Sequence, residues 1–195
     1  MIPPSGDYRY ELMSGGQVVA VEEARLTANG LTGGRVWQGG RYEVEAMLAP
    51  DLSVSSLSIR YVRGPFSRAA SYRAETDLLR GSVGALAGQN AAETKLGRFR
   101  EVDADLILFK ALIIGRARIR GQTRFTGRIA TIDPNTLVAA SPKQTYRQRE
   151  ASGLRWLYEP RMGESEEIEL DDRGRIVRRI DHRGTETVLR SFRAD

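Results

Sequence analysis

A lone histidine, His182, and a few closely spaced acids are the residues of this 195-residue chain whose types could carry acid–base or nucleophilic chemistry. A serine–histidine arrangement needs His182 as base, oriented by a carboxylate, with the serine raised on a G-x-S-x-G turn. No such turn occurs, and Asp181-His182-Arg183-Gly184 has the composition of a hairpin turn, where a solvated imidazole is the ordinary outcome. Asp103 and Asp105 are candidate paired carboxylates, but glycoside hydrolysis needs two acids facing each other across a cleft. Two acids on one short segment cannot bracket a substrate, so a hydrogen-bonded turn or a partly buried structural role is expected of them. Glu164-Ser165-Glu166-Glu167, followed by Asp171-Asp172, lacks the spacing and glycine of a calcium loop and reads as a solvated turn. Gly30-Leu31-Thr32-Gly33-Gly34 and Gly39-Gly40 lack the strand–loop–helix context and lysine of a phosphate cradle, and are assigned to hairpin turns. With no cysteine, thiolate catalysis, disulfides and cysteine-based metal sites are excluded. The expectation is a protein that is not an enzyme, with no catalytic residue, no metal site and no cofactor. A small enzyme acting through Asp103, Asp105 or His182 is the reading this displaces.

The arginines give a stronger pattern. Net charge is +5, and lysine occurs only at Lys95, Lys110 and Lys143. Arg116, Arg118 and Arg120 alternate as one face of a strand, with Arg124 and Arg128 just beyond. Such a stripe could meet anionic head groups or a nucleic-acid backbone. The plainer alternative is a solvated face balanced by Glu and Asp on neighbouring strands. RNA-binding sheets place stacking aromatics on the basic face. Here Tyr42 opposes Arg41 and Trp156 opposes Arg155, which turns the rings inward.

The elements that must position these residues follow a period of two. Tyr8, Tyr10 and Leu12 alternate with Asp7, Arg9 and Glu11, and Ser14-Gly15-Gly16 supplies a tight hairpin. Val19 and Val21 carry the next strand towards Leu26. Tyr42, Val44, Ala46 and Leu48 oppose Arg41, Glu43 and Glu45; Leu57, Ile59 and Tyr61 oppose Ser56, Ser58 and Arg60. Two further strands lead to a loop at Ala87-Gly88-Gln89-Asn90. Residues 103–115 break the rule: Leu106, Phe109, Leu112 and Ile113 fit a helical face, although an irregular plug would also hold them. Strands then resume to the C-terminus. Turn signals every 8–12 residues or so mark an all-β architecture. The fold expected is mainly β, an antiparallel spiral β-roll or half-barrel with one short helix or irregular segment near 103–115. It forms a single domain over 1–195, with 1–6 as a short N-terminal tether. The longest apolar stretch, 104–114, contains Asp105 and Lys110 and is too short to span a bilayer. No transmembrane segment and a cytoplasmic location are expected.

Tyr8, Tyr10, Tyr42, Tyr61, Trp156 and Tyr158 all fall on inward positions. In a tight barrel they fill the core; in a half-open roll they line an apolar groove with a few hydroxyls inside. The second half of the chain resembles the bacterial glycolipid-binding family, whose fold is a spiral β-roll. The resemblance rests on Val102-Asp103-Ala104-Asp105-Leu106, Phe109, Leu112-Ile113-Ile114-Gly115-Arg116, Gln144-Thr145-Tyr146, residues 156–158, and Leu170-Asp171-Asp172-Arg173-Gly174-Arg175-Ile176-Val177. The family's Thr-Pro-Phe-Thr-Asn-Thr core is replaced by Ile107-Leu108-Phe109-Lys110-Ala111, and the cysteine before its Asp-x-Asp is absent. With the ring alternation, the resemblance implies a non-catalytic binding protein with an aromatic-lined groove for an amphipathic, glycolipid-like ligand. Phe109 and Leu112 would sit on its central segment, with Tyr42, Tyr61, Tyr146 and Trp156 on the wall. Arg116 or Arg118 would meet an anionic or sugar head group through forked donors. The alternative is a basic Arg-rich interaction module for nucleic acid or an acidic partner.

Overall fold

A computed structural model describes residues 1–85, 88–160 and 165–195. Eight strands come first: β1 (Gly6–Ser14), β2 (Gln17–Leu26), β3 (Gly30–Trp37), β4 (Gly40–Leu48), β5 (Val54–Arg63), β6 (Phe66–Ala74), β7 (Leu78–Ala85) and β8 (Gly88–Lys95). A short β9 (Val102–Asp103) leads into helix α1 (Ile107–Ile119). There follow β10 (Arg124–Arg128), β11 (Ala130–Ile132), β12 (Ala139–Ala140), β13 (Lys143–Gln148) and β14 (Arg155–Glu159). The chain ends in β15 (Glu166–Leu170), β16 (Ile176–Ile180) and β17 (Glu186–Ala194).

Fourteen strands form one sheet in the order β10-β13-β14-β15-β16-β17-β1-β2-β3-β4-β5-β6-β7-β8, every pair antiparallel. Its first and last strands in sequence are hydrogen-bonded to each other, Gly6 opposite Ala194 through Met13 opposite Glu186. The sheet curls into a nearly closed barrel. The two edges, β8 and β10, do not pair; a small sheet, β12-β11-β9, lies at the seam, with β12 beside β8.

The interior is occupied by α1. Residues Ile107 to Ala117 are all buried, which fits a helix apolar on every side. The inward rings close on it: Tyr8, Tyr10, Tyr42, Tyr61, Trp156 and Tyr158 are all buried, as the alternation predicts. No helix among the described residues is long and apolar enough to cross a membrane. The N-terminal tether is docked as well, with Pro3 buried and Ile2 against Gly115.

Several local expectations are corrected. The helix starts four residues later than the 103–115 segment, because Val102 and Asp103 pair in parallel with Ala130 and Thr131, and Asp105 takes a left-handed φ of 60°. It runs on through Arg116 and Arg118, so these residues and Arg120 share no strand face. Spacings of two and four look alike here, because i and i+4 lie on one side of a strand and also on one side of a helix. A Schellman stop ends α1: Gln122 N donates to Ala117 O, Gly121 N donates to Arg118 O, and Gly121 has φ 68°. Gly30, Gly33 and Gly34 lie within β3 rather than in a turn, and a Cβ on Gly33 would stand 2.6 Å from that of Ala24. Gly88, Gln89 and Asn90 open β8 rather than a loop, while Ala87 lies outside the described residues.

Candidate functional site

A buried ionic network joins the N-terminus of α1 to the barrel wall. Leu106 caps the helix with no side-chain hydrogen bond, so its orphan N–H groups need a partner from elsewhere. Glu22, fully buried on β2, accepts from Ile107 N at 2.7 Å. Arg35, opposite it on β3, donates to Glu22 through Nη2 at 2.9 Å and to Asp105 Oδ2 through Nη1 at 2.9 Å. Arg35 also donates to the Asp105 carbonyl, and Tyr42 donates to the Ala104 carbonyl at 2.9 Å. Asp103 accepts from Asp105 N at 3.0 Å and from Lys110 Nζ at 2.9 Å. Lys110 lies 3.8 Å from Glu166 and 4.3 Å over the Tyr158 ring. Arg179 grips Glu166 through Nε and Nη2 at 2.8 and 2.7 Å.

Burial pushes the Lys110 ammonium down, but Asp103, then Tyr146 and Glu166, outweigh it and hold its pKa well above the ordinary lysine value. Burial pushes Glu166 up, yet Arg179 and Lys110 bring it below the usual carboxylate range. Burial wins at Glu22, whose pKa is raised despite Arg35. A lysine so firmly protonated suits neither a Schiff base nor a general base. The network's evident work is to fix α1 and the segment before it inside the barrel. The hydroxyls of Tyr10 and Tyr146, both buried beside it, have no partner among the described residues.

A second network holds the far end of α1. Arg116 bridges Glu101 at 2.7 Å and Asp51 at 2.9 Å, and Arg120 reaches Glu101 at 3.1 Å. The eight predicted site residues thus divide among several places. Tyr42, Phe109, Leu112 and Tyr146 pack in the core, Tyr61 packs against Trp37, and Trp156 donates to the Gly153 carbonyl at 3.0 Å. Arg116 is buried in ion pairs and Arg118 lies in the last turn of α1, partly buried, with its Nη1 unpartnered among the described residues. Phe109 and Leu112 do lie on the central segment, but that segment fills the space the rings face.

The inner wall is left open at the seam. Buried Tyr61 stands opposite Arg68, Ile59 opposite Ala70, Ala70 opposite Val83, and Val83 opposite Asn90, so all of these face inward. Yet Arg68 and Asn90 are exposed and Val83 is half-buried. Here β6, β7 and β8 and the turn at 133–138 enclose a cavity of about 480 Å³, lined by Arg68, Val83, Asn90, Ala92, Thr136 and Val138 among others. Its far wall is tied down by Tyr72, whose hydroxyl donates to Leu137 O at 2.7 Å, and by Arg68, which donates to Asn135 O at 2.7 Å.

Sequence reading missed Glu22, Arg35, Glu166 and Arg179. Val19 and Val21 suggested the wrong inward parity for β2, which is Ala20, Glu22, Ala24 and Leu26, with Val19 exposed. Glu166 is no turn residue but part of β15, its neighbour Glu164 lying outside the described residues. Lys110 did leave a signal, as one cation in an apolar run seven residues after Asp103.

No protein family's sequence profile matches this chain, and no curated protein matches it. Among solved structures it is similar to that of a DUF1089 family protein from Pseudomonas aeruginosa, a crystal structure at 1.80 Å resolution. The TM-score is 0.59 at 18% identity, over 83% of this chain and 89% of that one. That likeness establishes a shared fold.

Proposed function

We propose that this chain is a non-catalytic binding protein that takes an amphipathic ligand into the seam cavity. The apolar part would lie against Val83, Ala92 and Val138, and a hydroxyl-bearing head on Arg68, Asn90 and Thr136. One observation carries this reading: the inward face is buried along β4 and β5 but stays accessible at β7 and β8, where apolar and polar groups converge. The volume suits a small ligand rather than a long double-chained lipid. A glycolipid-like head fits the donors present, since guanidinium, amide and hydroxyl groups all bond sugar hydroxyls. The site thus differs from the aromatic-lined groove expected from the sequence, while the class of ligand is retained.

Native mass spectrometry of the purified protein, with melting temperatures across a panel of lipids and alkyl glycosides, tests this. A ligand that binds only the folded state raises the melting temperature with concentration. Val138→Trp, at a position 51% exposed, should fill the cavity, abolish that rise and leave the unliganded protein folded. A ligand-free spectrum with no shift across the panel, or an undiminished shift in Val138→Trp, overturns the reading.

A further inference from the structure

The arginine stripe noted in the sequence is split by the fold, and its remaining half forms a separate feature. On the outer face of β10 and β13, Arg124 stands directly opposite Arg147 and Arg128 directly opposite Lys143, with Thr126 opposite Thr145 between them. Like charges on one rung of an antiparallel ladder are destabilising. Elsewhere outward arginines meet carboxylates across the rungs: Asp7 faces Arg25 and Arg193, Glu43 faces Arg60, and Glu169 faces Arg155 and Arg178. Arg73 opposite Arg80 is another like pair, but Glu75 and Glu93 bind Arg80. On β10 and β13 the relief is partial. Arg147 pairs with Glu159 at 3.1 Å and Arg128 donates to Ser141 O, while Arg124 and Lys143 make no ion pair among the described residues. The surface is indented there by a cavity of about 820 Å³ bordered by Arg124, Thr126, Arg128, Lys143, Thr145 and Glu159.

We infer that this notch is a second binding site, for a phosphate-bearing group, and that it acts independently of the seam cavity. The two cationic rungs are four residues apart, about 13 Å along the strand. The threonine hydroxyls, 3.0 Å from each other, mark the midpoint. A tetrahedral oxyanion seated on them lies within reach of the long side chains from both rungs, whose donors match phosphate geometry and whose repulsion it relieves. The shared chemistry is a terminal phosphate, whether free or carried on a lipid head.

The test uses the full-length triple variant Arg124→Gln/Arg128→Gln/Lys143→Gln, with Arg60→Gln/Arg73→Gln as a control that removes arginines from another outer face. Pyrophosphate binding is measured by calorimetry, and flotation is measured with phosphatidylcholine vesicles with and without phosphatidic acid. The wild type should bind, and the triple variant should bind about tenfold more weakly or worse per lost charged contact. The control should match the wild type. The triple variant's melting temperature should not fall, because the charges it removes stand on like-charged rungs. Loss confined to pyrophosphate assigns a free terminal phosphate, and loss of phosphatidic-acid-dependent flotation assigns a lipid-borne one. Wild-type protein that binds neither probe, a triple variant that binds as tightly, or an equal loss in the control overturns the site.

Discussion

Lys110 shows why a single side chain can decide where a helix sits. Its ammonium is buried with Asp103 at 2.9 Å and Glu166 at 3.8 Å, and Asp103, itself buried, has no bulk water as a substitute partner. Lys110→Met should cost about 3–5 kcal/mol in urea unfolding, because it strands a buried carboxylate. Adding Asp103→Asn should recover part of that loss; a single variant within 1 kcal/mol or so of wild type would place the pair outside the stabilising core. Glu166 is shifted in one direction, and Glu22 and Glu101 in the other. Glu166 has a folded pKa below its ordinary value, so its contribution is complete above that value and is lost as pH falls through the folded one. Glu22 and Glu101 are raised, so theirs is present at low pH and lost as pH rises through the raised values. Glu166→Gln should therefore flatten the acid side of the stability profile while lowering stability near neutrality. Urea midpoints collected from neutral to acid pH would show it; an unchanged acid slope counts against the assignment.

At the scale of elements, parity was legible and placement was not. Strands β1, β4, β5 and β14 turn inward the residues that their alternation predicts, since the side-chain period of a strand is a local property. β2 escaped because valines sit on its outer face and a glutamate on its inner one. That inversion serves α1, whose first N–H finds Glu22 rather than a capping residue of its own. Glycine also has an element-level role. A Cβ on Gly81 would meet the Ser71 carbonyl of β6 at 1.8 Å, and that backbone cannot yield without opening the β6–β7 ladder. Gly81→Ala should destabilise by about 1–3 kcal/mol or more, read as a lower urea midpoint. Because β7 forms one wall of the seam cavity, the same variant should weaken any ligand-dependent rise in melting temperature.

At the scale of the whole molecule, the barrel depends on pairing its two termini. β1 and β17 are sequence-distant yet joined along their length, and the two tryptophans report on opposite parts of the sheet, Trp37 from β3 and Trp156 from β14. If one domain spans 1–195, Trp37→Phe and Trp156→Phe should show coincident unfolding transitions by fluorescence and circular dichroism. Refolding should be slow, on the order of milliseconds to seconds or longer, because so many contacts join distant residues. Separate transitions would divide the chain into two cooperative units. The sequence by itself determined the antiparallel β class, the inward rings and the helix-like interruption, because each follows from spacing over a few residues. Only the tertiary structure decided that the interruption fills the barrel, that Glu22 and Arg35 meet Asp105, and that the open wall lies at β7 and β8. Those facts depend on strand order and closure between residues far apart in the chain, which no local period encodes.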